Sequence, residues 1–283
     1  MIKPDNIQTD WSRMPKGLTW YFIGPPKTGK TTVASEWSER GRAGTLILDA
    51  DLGTDFVDGC NRITITSLNP PTRNKTIGDK PAIDKNGLPI IEVVPPEERG
   101  FVYRVGDNAG KPMPVYSLAE VVADLLTDYD SYKIDTVVLD TVDVINEWIE
   151  TEIAPEGMGK TGYGADWAKS RKKNKDIVSK LQRLIQKHGG TLILISHSKK
   201  TTEVDGKVQL APELPSGLAS NICAKAEVIG YTTIKKNGEF TISFAGYDEK
   251  SIGSRLRPLR GKEFPFNYEA IKKAITGYIE EKE

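Results

Sequence analysis

Leu18-Thr19-Trp20-Tyr21-Phe22-Ile23, followed by Gly24-Pro25-Pro26-Lys27-Thr28-Gly29-Lys30-Thr31, is the stretch that decides the fold. The first six residues are an apolar and aromatic run that reads as a buried strand ending at a glycine. The next eight fit G-x-x-x-x-G-K-[ST], and Thr31 to Arg40 reads as a helix closed by Gly41. Strand, glycine-containing turn and helix in that order make a phosphate-binding loop. Glycines let successive backbone N–H groups wrap a phosphate, while the helix presents the positive end of its dipole. Lys30 supplies a point charge for the outer phosphates, and Thr31 offers a hydroxyl to Mg²⁺, which keeps most of its waters. Gly24, Pro25, Pro26, Lys27, Thr28, Gly29, Lys30, Thr31 and the adjoining Thr32 are the candidate nucleotide-binding residues, with ATP and Mg²⁺ the implied cofactors.

Downstream of the loop, Thr45 to Leu48 is a second strand, running into Asp49-Ala50-Asp51. From Asn69 to about Tyr116 the pattern breaks into Pro, Gly and Asn, with β-prone pieces at Ile90 to Val94 and Phe101 to Val105. This reads as an insertion carrying a hairpin, because a structureless loop of that length does not suit a compact domain. Order returns at Ser117-Leu118-Ala119-Glu120, a capping box, after which Leu118, Val121, Val122, Leu125 and Leu126 make one apolar helical face. Thr136 to Leu139 is a strand. A glycine-rich loop, Ile153 to Ala165, leads to a basic helix from about Trp167 to Lys187 and then the strand Thr191 to Ile195. A loop from Lys199 to about Leu218 precedes two β-prone runs, Val228 to Ile234 and Phe240 to Phe244. Apolar strands alternating with helices imply an α/β fold, a mainly parallel sheet covered on both faces, with an antiparallel C-terminal extension.

An acidic residue at the end of an apolar strand beside the phosphate loop is needed to hold the metal through water. Val137-Val138-Leu139-Asp140 supplies it; the lesser alternative is that Asp140 merely caps the helix that starts near Thr141, and the two roles can coexist. Hydrolysis needs a group that orients or deprotonates water. Asp51 is the best placed carboxylate, Asp49 is its competitor, and both fit ordinary turn positions. His197, in Ser196-His197-Ser198, sits where a strand tip meets the terminal phosphate, though a lone histidine there is also an ordinary surface residue.

With 283 residues, 38% apolar and 28% charged, the chain suits one globular domain spanning 1–283, with 69–116 inserted in it. Lysine plus arginine equal aspartate plus glutamate at 39 each, so any nucleic-acid partner must be held by a local patch. Cys60 and Cys223 sit in no metal-like spacing and read as reduced thiols in a cytoplasmic protein. No apolar stretch is long enough to span a membrane, and the N-terminus has no signal-peptide core.

The order of these motifs resembles the RecA-type ATPases, most closely the phage-encoded RecA-like ATPases of recombination and single-strand annealing, over about Leu18 to Asn267 apart from the insertion. The resemblance implies a RecA-like P-loop core, ATP hydrolysis, single-stranded DNA binding and self-association into a ring or filament, in a bacterial host cytoplasm. It puts the water activator on Asp51, the metal-linked aspartate on Asp140 and the polar sensor on Ser196-His197. Many relatives carry glutamate in place of Asp51. It maps two DNA-binding loops to Ile153 to Ala165 and Lys199 to Leu218. It also matches Ser254 to Lys262 to a stretch that sends a cation into the neighbour's site, with Arg255 first and Lys262 second; a solvated basic turn is the other reading.

Lys169, Arg171, Lys172, Lys173 and Lys175 open a lysine-rich helix that also holds Lys180, Arg183 and Lys187. It reads either as a patch that tracks phosphates or as the solvated side of a helix whose Ile177, Leu181, Leu184 and Ile185 face the core. Tyr163 and Trp167 beside it are candidate stacking partners for bases, or core residues. Two other functions use the same loop: a small-molecule kinase with Arg255 to Arg260 as a lid, and a switch that binds ATP to assemble without turnover.

Overall fold

The computed structural model describes residues 10–160, 164–202, 208–246 and 252–278. Strand β1 (Thr19–Gly24) is buried along its whole length, and α1 (Lys30–Ser35) follows the phosphate loop. β2 (Thr45–Asp49) and β3 (Asn61–Ser67) come next. The 69–116 segment holds β4 (Thr72–Asn74), β5 (Thr76–Ile77), β6 (Lys80–Pro81) and β7 (Ile91–Val93). They are nested hairpins, β5 pairing β6 inside the pairing of β4 with β7. The expected hairpin is present, and Phe101 to Val105 forms no named strand but faces 110–113 through the Val102–Pro112 bridge and backbone hydrogen bonds such as Tyr103 N to Lys111 O at 3.0 Å.

β8 (Tyr116–Ser117) leads into α2 (Leu118–Asp128), and β9 (Thr136–Asp140) into α3 (Val142–Ile153). Then come α4 (Ala165–Lys187), β10 (Thr191–Thr202), β11 (Val208–Pro212), α5 (Ser216–Cys223), β12 (Val228–Ile234) and β13 (Phe240–Ser243). β14 (Gly253–Ser254), β15 (Glu263–Pro265) and α6 (Tyr268–Thr276) are the last elements among the described residues.

The main sheet runs β15-β13-β12-β1-β10-β9-β2-β3-β8, with β11 on β10 and β14 on β12. The pairings from β12 through β8 are parallel, and those of β13, β14, β15 and β11 are antiparallel. Two consequences bear on the site. β9 is not the neighbour of β1, because β10 lies between them, so Asp140 reaches the phosphate loop across an intervening strand. The chain also leaves β1 for β2 and returns through β9 and β10, which opens a crevice at the carboxyl ends of the strands where such sheets bind ligands.

Alternation along β1 builds both faces. Tyr21 and Ile23 join the layer formed with α2, α3, α4 and α5, whereas Trp20 and Phe22 join the layer of α1 and α6. Trp37 packs edge-on against Trp20 and Phe22, with ring centroids 5.0 and 4.9 Å away. That inward turn explains why α1 stops at Ser35 instead of running to Arg40: a continuous helix would not bring the indole onto β1 in this way.

Two further expectations change. Leu126 is 64% exposed, so the apolar face of α2 is made by Leu118, Val121 and Leu125, with Val122 at its edge. β10 does not stop at Ile195 but runs on to Thr202 and pairs with β11. The expected loop from Lys199 to Leu218 is therefore largely a hairpin plus the first turn of α5. No helix among the described residues is long and apolar enough to cross a membrane.

Candidate nucleotide site

Gly24 ends β1 beside Thr232, and a Cβ there would lie 2.1 Å from the Thr232 hydroxyl oxygen. Only glycine lets the loop leave the sheet so close to β12. Thr28 fixes the loop's far side, its hydroxyl bonding the Pro25 carbonyl at 2.9 Å and pairing with the Thr232 hydroxyl at 2.7 Å. Gly29 adopts φ +77°, the left-handed conformation that starts α1 with its N–H groups toward the loop's hollow.

Lys30 is buried, and its ammonium donates to the carbonyls of Gly24 at 3.0 Å and Pro25 at 2.7 Å. Burial pushes its pKa down, while Asp140, Asp143 and Asp51 oppose the fall. A polyanion in the hollow offers this ammonium stronger acceptors than two carbonyls.

The Thr31 hydroxyl donates to Asp140 Oδ2 at 2.6 Å. Asp140 is 2% exposed, and burial pushes its pKa up to about 7, against the pull of Thr31 and Lys30. The Asp140 carbonyl accepts from Ala50 N at 2.6 Å and Asp51 N at 3.3 Å, tying the exit of β2 to β9; the Asp140–Thr141 peptide is cis. A hydroxyl and a buried carboxylate beside the phosphate hollow are the donor set for a hydrated Mg²⁺, so the residues fit the group.

Asp49 and Asp51 differ sharply. Asp49 is fully buried, with one oxygen accepting from Gly53 N at 3.1 Å and the other from the N–H and hydroxyl of Thr54. Its carboxylate closes its own turn. Asp51 is exposed in the crevice. Partial burial raises its pKa, Asp143 and Asp49 add to that, and His197 and Lys30 lower it.

His197 pairs across the sheet with Gly24, at the mouth of the loop. Its Nδ1 lies 2.6 Å from Asp143 Oδ2, and its backbone N–H donates to Asp143 Oδ1 at 3.2 Å. Asp143, in the first turn of α3, was not singled out in the sequence. The available signal was Asp143 three residues after Asp140, which puts a second carboxylate in the first turn of the helix that follows the strand.

The cations of the final segment lie elsewhere. Arg255 follows β14, whose Ser254 pairs with Val228 at the start of β12, the end of the sheet opposite the phosphate loop. Its side chain is 65% exposed, and its guanidinium meets Glu227 at 3.5 Å and donates to the Ala224 carbonyl at 3.3 Å. Arg260 is held by the Ser254 and Arg255 carbonyls, and Lys262 is exposed. On α4, Lys169, Arg171, Lys172 and Lys175 are exposed, whereas Lys173 is half-buried and paired with Glu152 at 2.6 Å. Leu181, Leu184 and Ile185 face the core and Ile177 packs against it. Trp167 is 37% exposed, and Tyr163 lies outside the described residues.

Residues 16–256 match the family model described as AAA domain. The chain belongs to that family. This AAA domain is thus a P-loop ATPase domain, and the match spans the phosphate loop, Asp51, Asp140 and His197. No curated protein matches the chain.

Proposed function

We propose that this AAA domain binds ATP with Mg²⁺ and hydrolyses it as a RecA-like protein of DNA recombination or single-strand annealing. One observation carries the ATPase reading: the Thr31 hydroxyl and the Asp140 carboxylate meet at 2.6 Å beside the buried Lys30 ammonium. Thr31 and Asp140 would hold Mg²⁺, which would supply neutralisation of the charge on the outer phosphates. The chain's own groups do the rest. Lys30 exchanges loop carbonyls for phosphate oxygens, and Asp51 orients and deprotonates the attacking water from the open side of the crevice. His197 faces the terminal phosphate.

The exposed cations Lys169, Arg171, Lys172 and Lys175 support contact with a single-stranded backbone, and the exposed Arg255, at the end of the sheet away from its own phosphate loop, supports self-association in which one subunit completes the next. Turnover measured with and without single-stranded DNA tests both parts. Lys30→Ala is expected to lower turnover by at least about 100-fold, the scale of a lost electrostatic partner of the transition state. Lys172→Ala with Lys175→Ala should lose DNA stimulation and keep basal turnover. Native-level hydrolysis by Lys30→Ala would overturn the ATPase reading. Phosphate transfer to nucleosides without DNA stimulation would favour a kinase, and tight ATP binding without turnover a switch.

A further inference from the structure

Asp143 is a carboxylate that the ATPase reading does not use. It is 7% exposed, and both its oxygens are committed to one residue, Oδ1 to the backbone N–H of His197 and Oδ2 to its ring Nδ1. Helix α3 and strand β10 are thus stapled at the point where β10 passes Gly24. We propose that Asp143 is a positioning residue that fixes the His197 ring and keeps it protonated, so that Nε2–H is offered as a cationic donor to the terminal phosphate. The inference rests on the ATPase reading.

The geometry makes the argument. A carboxylate on Nδ1 selects the tautomer with hydrogen there and leaves Nε2 as the nitrogen that meets a ligand. A buried anion at 2.6 Å also stabilises the imidazolium more than the neutral ring, and the pKa of His197 is raised, chiefly by this bond. Other charged groups face the ring. Lys30 on α1 opposes its protonation, Asp51 beyond β2 favours it, and Glu213 beyond β11 brings a carboxylate oxygen within 4.8 Å of the pair. A terminal phosphate adds negative charge and strengthens protonation further. His197 then resembles a cation whose supply depends on pH, unlike the permanent charge of Lys30.

The chain has two histidines, so imidazole resonances can be followed individually, with His188→Gln as the assignment control. In nucleotide-free protein, His197 is expected to titrate above its ordinary 6.5. In Asp143→Asn, which keeps an acceptor oxygen but loses the charge, the midpoint should fall measurably below the native one. The alkaline limb of kcat should move down by the same amount while KM for ATP changes little, and Asp143→Glu should recover part of both. A native midpoint at or below 6.5 overturns the proposal without any variant. So does an Asp143→Asn protein that loses turnover equally at every pH, the mark of a purely structural role. A titration shift as expected in a native protein without turnover would count against the ATPase reading alone.

Discussion

Asp49 and Asp51 leave the same strand two residues apart, and hydrogen-bond satisfaction separates them. Among the described residues the hydrogen bonds of the Asp49 carboxylate lie within its own turn, to Gly53 and Thr54, so it has little left for a water near the phosphates. Asp51 has an exposed carboxylate under the influence of Lys30 and His197. Asp51→Asn is therefore expected to retain ATP and Mg²⁺ and slow turnover by about 100-fold, the scale of a lost general base. Asp49→Asn should instead leave chemistry near native and lower stability by about 1–3 kcal/mol, the cost of a disturbed buried acceptor. Steady-state kinetics and thermal melts on both variants check this; normal turnover in Asp51→Asn with a chemical defect in Asp49→Asn would reverse the assignment. The choice was open in the sequence because both residues suit a turn. Only the Gly53 and Thr54 donors, fixed by the fold, decide which carboxylate is spent.

Elements were legible where local chemistry governs them. Ser117 and Glu120 form the expected capping box, with Glu120 N donating to Ser117 Oγ at 3.2 Å and Ser117 N to Glu120 Oε2 at 2.7 Å. β1, β2, β9, β12 and the start of β10 were legible because strands buried on both faces read as apolar runs, whereas β3, with its alternating Arg62-Ile63-Thr64-Ile65-Thr66, was not read as a strand, nor was α6 as a helix despite its Asn267 cap. What was not legible depended on long-range partners: the stop of α1 is set by Trp37 meeting Trp20 and Phe22, and the extension of β10 by β11. The anchor of the insertion is of the same kind. Arg99 reaches back from the insertion to Glu120, its two terminal nitrogens at 2.8 and 2.7 Å from the two oxygens, while also donating to the Val94 and Val115 carbonyls. Arg99 pulls the Glu120 carboxyl down to about 2 from an ordinary 4.5. For a lowered carboxylate pKa the stabilisation is complete above the unfolded value, near 4.5, and is lost as pH falls toward the folded value, near 2. Glu120→Gln should thus lower stability at neutral pH and flatten its fall over that acid window. Denaturant melts across pH 2 to 6 read both effects; an unchanged acid profile would mean that the pair contributes nothing net.

At the scale of the molecule, the strand order places the chemistry and the outward cation at opposite ends of one sheet. Gly24, Asp51, Asp140 and His197 gather at the carboxyl ends, where the return from β2 through β9 and β10 opens the crevice. Arg255 follows Ser254, which is level with Val228 and hence with Trp20. Trp20 lies four residues before Gly24, about 13 Å of strand at ~3.3 Å per residue. A side chain at that end does not reach its own phosphate loop without breaking β14 from β12. If Arg255 acts on ATP, it acts on a neighbour's.

The test follows from that separation. On the proposed shared site, Arg255→Ala alone should keep ATP binding and lose most of the turnover gained on assembly, because the missing charge would belong to the next subunit's site. Asp140→Ala alone should lose turnover by failing to hold the metal. Mixed in equal amounts, the two variants create junctions in which an intact Asp140 faces an intact Arg255, and activity should partly return, rising and falling with the mixing ratio. Turnover across a titration of one variant into the other, with co-assembly followed by light scattering, measures it. No recovery in a mixture that co-assembles would remove Arg255 from the shared site and leave it as the surface partner of Glu227.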